Sequence, residues 1–119
     1  MPVQINTSFH PFRLRVSDKK PVQLKVTLKN VDADDKMISL DVILSRDLSF
    51  DKGGLRNSDR KRIKRFQSKG ELIFYYDVWP KQTTVVGDHP ILVELMEHFN
   101  NYEYVQRDVK KKLELPVMD

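Results

Sequence analysis

Between Val22 and Lys29 every second residue is apolar: Val22, Leu24, Val26 and Leu28 alternate with Gln23, Lys25, Thr27 and Lys29. Successive side chains of a strand point to opposite faces, so this period of two commits the segment to a β-strand with one face on a core. The pattern recurs. Phe12, Leu14 and Val16 alternate with Arg13 and Arg15; Ile38, Leu40, Val42 and Leu44 set a core face against Ser39, Asp41 and Ile43; Leu72, Phe74, Tyr76 and Val78 oppose Glu71, Ile73, Tyr75 and Asp77. After Gly87 the inward set is Ile91, Val93 and Leu95, and a last strand is expected between Tyr104 and Val117, using Val109, Leu113 and Leu115. Turn residues separate these runs at Asp18-Lys19-Lys20-Pro21 and Asn30-Val31-Asp32-Ala33-Asp34-Asp35. Leu24, Val26, Leu40, Val42, Phe74, Tyr76 and Val93 are therefore expected in the core.

Helix signals are scarce. Only Asn57 to Gln67 has a helix-compatible composition, and with one apolar residue per turn at best (Ile63, Phe66) it reads as a short turn of helix or a sixth strand. The 119 residues have the size of one domain, 1–119, in which segment 1–10 is read as extended and segment 51–70 as a basic loop or edge element. Without cysteine, disulfide frameworks and cysteine zinc sites are excluded. No apolar run approaches the roughly 20 residues of a membrane-spanning helix, and Met1 to Phe9 lacks the basic start and apolar stretch of a signal peptide, so a cytoplasmic protein is expected. Six or seven short strands with polar turns and no helical crossovers imply an all-β fold, an antiparallel immunoglobulin-like β-sandwich of about seven strands held by packing alone.

Three pieces of the chain carry a family resemblance. Val22 to Leu44, with Leu28-Lys29-Asn30 ending the first strand, resembles the strand, Asn, polar turn, strand opening of several immunoglobulin-like accessory domains. Ile63 to Val78 is similar to the segment in which such domains place a Gly-Glu turn before a strand. Gly87-Asp88-His89-Pro90-Ile91-Leu92-Val93-Glu94 resembles their Gly-x-x-x-(apolar)-x-Val strand, and Asn100-Asn101 their paired Asn before a final strand. The families in question are the cell-adhesion-related and alpha-galactosidase-associated immunoglobulin-like domains of bacteria and archaea. The resemblance implies a non-catalytic spacer or interaction module, and the chain departs from it in its basic middle segment.

Nothing in the sequence assembles a catalytic constellation. His10 precedes Pro11, and His89 and His98 lie nine residues apart, an odd spacing that sends them to opposite faces of one strand. Asn30, Asp32 and Asp34 have the alternate spacing of a calcium loop, but Asp35 stands where that loop needs Gly and Asp41 where it needs a bidentate Glu. Gly53-Gly54 lacks the Lys-Ser or Lys-Thr of a phosphate cradle. No enzyme activity, cofactor or metal is expected.

Two features depart from a bland domain. From Arg56 to Lys69 seven cations (Arg56, Arg60, Lys61, Arg62, Lys64, Arg65 and Lys69) face one acid, Asp59, a local charge of +6 in a chain of net +4. All the basicity is thus concentrated in one segment, the arrangement of a polyanion or nucleic-acid contact and equally of a soluble edge strand. The second feature is apolar side chains on outward faces: if Leu40, Val42 and Leu44 point in, Met37 and Ile43 point out, and if Ile91, Val93 and Leu95 point in, Leu92 and Met96 point out. Those four on neighbouring strands would form a patch for a protein partner or a second copy of the chain, which is the expected function, with weak nucleic-acid or polyanion binding as the alternative. No small-molecule substrate is evident. A two-residue turn at Asn100-Asn101 would pair Glu94 with Arg107, His98 with Glu103 and Val93 with Asp108.

Overall fold

The computed structural model describes residues 3–119. Met1 and Pro2, and with them the start of the extended segment expected at 1–10, lie outside the described residues. Nine strands follow in order: β1 (Val3–His10), β2 (Leu14–Arg15), β3 (Val22–Asn30), β4 (Lys36–Leu44), β5 (Leu48–Ser49), β6 (Ser58–Phe66), β7 (Glu71–Pro80), β8 (Gly87–Phe99) and β9 (Asn101–Met118). A single 3-10 turn at Val16–Asp18 stands between β2 and β3, and the described residues contain no α-helix. Among the described residues no helix is long and apolar enough to cross a membrane.

The strands make two sheets, one in the order β1-β3-β7-β5 and one in the order β2-β9-β8-β4-β6. Their alternating faces meet in one buried cluster: Leu24, Val26 and Leu28 of β3 and Val78 of β7 on one side, Ile38, Leu40 and Val42 of β4, Ile91, Val93 and Leu95 of β8 and Leu115 of β9 on the other. The fold is all-β, as the alternation requires, but it is not purely antiparallel. Leu14 and Arg15 run parallel to Val117 and Met118, which makes the second sheet mixed.

The packing corrects some expectations and gives others their detail. Phe12 to Val16 is not one strand: Phe12 is 64% exposed, Leu14 is buried in the core, and Val16, packed against the core, already begins the 3-10 turn. Segment 1–10 is a full strand from Val3, paired along β3 with Val3, Ile5 and Phe9 turned toward the core. Segment 58–66 resolves as a strand, since β4 supplies the hydrogen-bonding partner that its charged sequence could not announce. Phe74 is half-buried: it packs against the core cluster at its margin, with the Lys61 ammonium 5.4 Å from its ring centroid.

The β8–β9 hairpin also departs from the simple turn. Phe99 pairs with Asn101, Asn100 takes the left-handed conformation at φ 68°, and register shifts on both sides of His98 let β9 use residues 101 to 107 where β8 uses 97 to 99. Bulges of this kind add residues to one strand only. Glu94 consequently faces Lys110, Val93 faces Lys111 and Arg107 faces Glu97.

Asn30 pins one end of the molecule. Its side chain is fully buried; Nδ2 donates to the carbonyls of Asp34 (3.0 Å), Phe66 (3.0 Å) and Gln67 (3.2 Å), and Oδ1 accepts from the Asp32 N–H at 3.0 Å. The acidic turn after β3 is thereby tied to the turn between β6 and β7, and Asn30 is committed to backbone partners.

Candidate functional site

The outer face of β6, β4, β8 and β9 carries the most unusual side chains of the fold. Antiparallel pairing sets them in rows across the four strands. The first row is Ser58, Ile43, Leu92 and Lys112; the second is Arg60, Asp41, Glu94 and Lys110; the third is Arg62, Ser39, Met96 and Asp108. Met37 lies beyond, paired with His98.

Each row has its own chemistry. Ile43 and Leu92 sit side by side next to an open cavity of about 310 Å³, whose wall is apolar except for Ser45 and Lys112. In the second row the Arg60 guanidinium grips Asp41 with two bonds, Nε at 2.7 Å and the terminal nitrogen at 2.9 Å, and raises its own pKa by doing so. Bidentate geometry of this kind is the strong form of a charged hydrogen bond. Glu94 stands next to Asp41, with Lys110 3.8 Å away; burial first, and then a hydrogen bond and repulsion with Asp108, push its carboxyl above the usual range. At the far end Ser39 Oγ and His98 Nε2 are 2.8 Å apart, His98 meets the Tyr102 ring edge-on at 5.2 Å, and Arg62 lies 4.9 Å over the Tyr102 centroid.

Met37, Ile43, Leu92 and Met96 all lie on this face, but as two pairs. The Asp41–Glu94 row separates Ile43 and Leu92 from Met96 and Met37. Ile43 is 40% exposed; the other three are half-buried. The face is therefore banded, apolar at one end, acidic across its centre with cations at both edges, and sulfur-rich and aromatic at the other end.

The seven cations of the basic segment do not form one stripe. Strand alternation sends Arg60 and Arg62 to the outer face and Lys61 inward, where its ammonium lies 5.4 Å from the Phe74 ring and 5.6 Å from that of Tyr76. Four of them meet carboxylates: Arg56 and Lys61 at Asp59 (3.3 and 3.4 Å), Arg60 at Asp41 and Arg65 at Asp35 (2.7 Å each). Lys69 donates to the Val31 carbonyl at 2.8 Å. Arg62 and Lys64 are left without a carboxylate among the described residues.

His89 and His98 lie on opposite faces of β8. His89 turns inward, 2.7 Å from the Val85 carbonyl, and among the described residues no group of three or more metal-ligating side chains gathers. Asp41, Glu94 and Ser39 escaped sequence reasoning because each looks like an ordinary solvent-facing residue of an alternating strand. Only the strand register brings their polar groups into contact. No protein-family model and no curated protein matches this chain.

Proposed function

We propose that this chain is a non-catalytic interaction module of immunoglobulin-like architecture, which binds a protein partner or a second copy of itself through the outer face of β6, β4, β8 and β9. The observation that carries the reading is the Ile43–Leu92 pair, two adjacent aliphatic side chains on a water-facing sheet surface beside an apolar cavity. Apolar groups at outward positions add nothing to the core, and contiguous ones mark contact surfaces. The immunoglobulin-like assignment is supported by strand order: β1-β3-β7 against β9-β8-β4 matches the two-sheet division of that fold, with β3 to β4 and β7 to β8 crossing between sheets. The resemblance in the Gly87 to Glu94 and Val22 to Leu44 segments supports the same reading. We read the compartment as the cytoplasm, where a domain that relies on packing alone is at no disadvantage.

Light scattering across a concentration series tests the proposal. The wild type is expected to show a mass above that of the monomer as concentration rises, and Ile43→Glu combined with Leu92→Glu is expected to stay monomeric with an unchanged circular dichroism spectrum. A wild type that remains monomeric up to about 1 mM removes self-association, since that corresponds to only about 4 kcal/mol of binding.

The polyanion alternative is weakened by the pairing of Arg56, Arg60, Lys61 and Arg65 with acids. Heparin retention through Arg62 and Lys64 should be weak and should vanish with modest salt, because each phosphate or sulfate neutralised contributes only about 0.7 to 0.9 to the slope of log K against log salt.

A further inference from the structure

Three lysines far apart in sequence line one concavity. Lys19 follows the 3-10 turn, Lys52 lies in the loop between β5 and β6, and Lys81 follows β7; together with Val16, Trp79 and Pro80 they surround a cavity of about 300 Å³. It shares no residue with the outer sheet face. No carboxylate is part of its wall.

Each lysine is held by its backbone. Lys19 takes the left-handed conformation (φ 51°, ψ 36°) and its N–H returns to the Val16 carbonyl at 3.3 Å. The loop bearing Lys52 is organised by Asp51, which accepts from Ser49 Oγ at 2.5 Å and from the N–H groups of Leu55 (3.0 Å) and Arg56 (2.9 Å). Lys81 donates its N–H to Thr84 Oγ1 at 2.7 Å and its ammonium to the Arg46 carbonyl at 2.6 Å, and its stem passes over Gly54, where an added Cβ would lie 3.6 Å from it. Lys19 and Lys52 make no ion pair among the described residues. These turns are pre-organised, and the two ammoniums on them are unspent.

A concave surface lined by one sign of charge focuses its field on what enters, and lysines serve as point charges for phosphate without demanding one orientation. The other half of the wall is different: the indole of Trp79, half-buried, with Pro80 and Val16 beside it. An exposed indole face stacks on planar rings of any sequence or type. The volume stands at the small end of ligand pockets and suits one ring system with its phosphates. We propose that this concavity binds a phosphorylated ligand with a flat apolar body, of the mononucleotide class, with the ring on Trp79 and the phosphates on Lys19, Lys52 and Lys81.

Trp79 is the chain's one tryptophan, so its fluorescence reports this place alone. Titration of the full chain with ADP, excited where adenine does not absorb, is expected to give a saturable change with a Kd of about 1 mM or tighter. Adenosine and pyrophosphate, each carrying half of the recognition, are expected to bind at least about tenfold more weakly. Lys19→Gln with Lys52→Gln should weaken ADP by about tenfold or more, while Lys19→Arg with Lys52→Arg retains it. Both positions are exposed on turns, and circular dichroism checks that the variants fold. The assignment is overturned by the absence of a saturable change up to about 10 mM ADP, by a glutamine variant that responds like the wild type, or by adenosine or pyrophosphate matching ADP. A single-stranded oligonucleotide binding far more tightly than ADP would overturn the mononucleotide class in favour of a polynucleotide.

Discussion

Asn30 shows how much one polar side chain can contribute inside an all-β core. Its amide bonds three carbonyls and one N–H at the ends of the strands. Replacing it by Ala removes all four bonds, the buried one to the Phe66 carbonyl among them, while the Gln67 carbonyl keeps the Gly70 N–H at 2.9 Å; the expected loss is about 3 kcal/mol, measured as a shift of the urea midpoint with an unchanged slope. The sequence places Asn30 at a strand end followed by acids, and from there a ligand loop and a structural pin look alike; the deciding partners, Phe66 and Gln67, lie 36 and 37 residues away. The acids nearby have their own signature. Asp32 is held well below the usual carboxylate range, first by the hydrogen bond from Lys36 and then by the Ala33 N–H; Asp35 is lowered by the Ser68 N–H and Arg65, and Asp51 by Ser49 and the Arg56 N–H. A folded-state pKa below the unfolded value of about 3.9 means stability that is present above that pH and is lost as pH falls through the lowered values. Asp35 is exposed and Asp32 and Asp51 are only half-buried, so solvent screens all three and each contribution is small. Asp51→Asn is expected to lower the neutral plateau of a pH titration of stability slightly and to flatten its acid limb below about pH 4, where the wild type loses the same contribution.

Strands β3, β4, β7 and β8 were legible because apolar and polar residues alternate cleanly in them, and a one-residue slip would send every Leu and Val to the water side. Strand β6 was ambiguous for the opposite reason. Arg60, Lys61, Arg62, Lys64 and Arg65 occupy both faces, so no period stands out, and the strand exists because β4 offers it an edge and Asp41, Asp35 and Asp59 offer it counter-charges. Strand β2 is two residues long and pairs in parallel with the end of β9, a relation that periodicity cannot express. The same dependence on register made the acidic centre of the outer face invisible. Glu94 is raised by burial and by Asp108, so its charged form is opposed in the folded state. Its linkage runs opposite to that of the exposed aspartates: stability is favoured below the unfolded Glu pKa of about 4.3 and declines as pH rises through the higher folded value. Glu94→Gln should therefore stabilise the fold at neutral pH and lose that advantage in acid, read from urea midpoints at about pH 7 and about pH 4. A destabilised variant at neutral pH would mean that Lys110 outweighs Asp108.

At the scale of the molecule the chain is longer than a compact domain of its size. Its radius of gyration is 15.4 Å and its longest dimension 47 Å, whereas about 13.5 Å is usual for a chain this long. The bulged β8–β9 hairpin contributes to this, with Phe99, Tyr104 and Val105 between 49 and 65% exposed around its tip. The outer face has a size that limits what it can do. Four strands about 4.8 Å apart and four rows about 6.7 Å apart cover roughly 500 Å² in plan. A stable interface buries about 800 Å² on each partner, so this face alone falls short and the Asp41–Glu94 row across its centre adds a desolvation cost. Self-association through it should accordingly be weak, in the range of about 10 μM to 1 mM, and fast to reverse. The cations at both edges, Arg60, Arg62, Lys110 and Lys112, would face the acidic centre of a second copy crossing at an angle, and attraction of that kind is screened beyond about 10 Å at 0.1 M salt. Sedimentation equilibrium across a salt series is the discriminating measurement: association should weaken as salt rises from about 0.05 to about 0.5 M, and Glu94→Lys should weaken it further at low salt. Association that strengthens with salt would assign the contact to apolar side chains alone, with the Ile43–Leu92 end and the exposed hairpin tip carrying it in place of the charged rows.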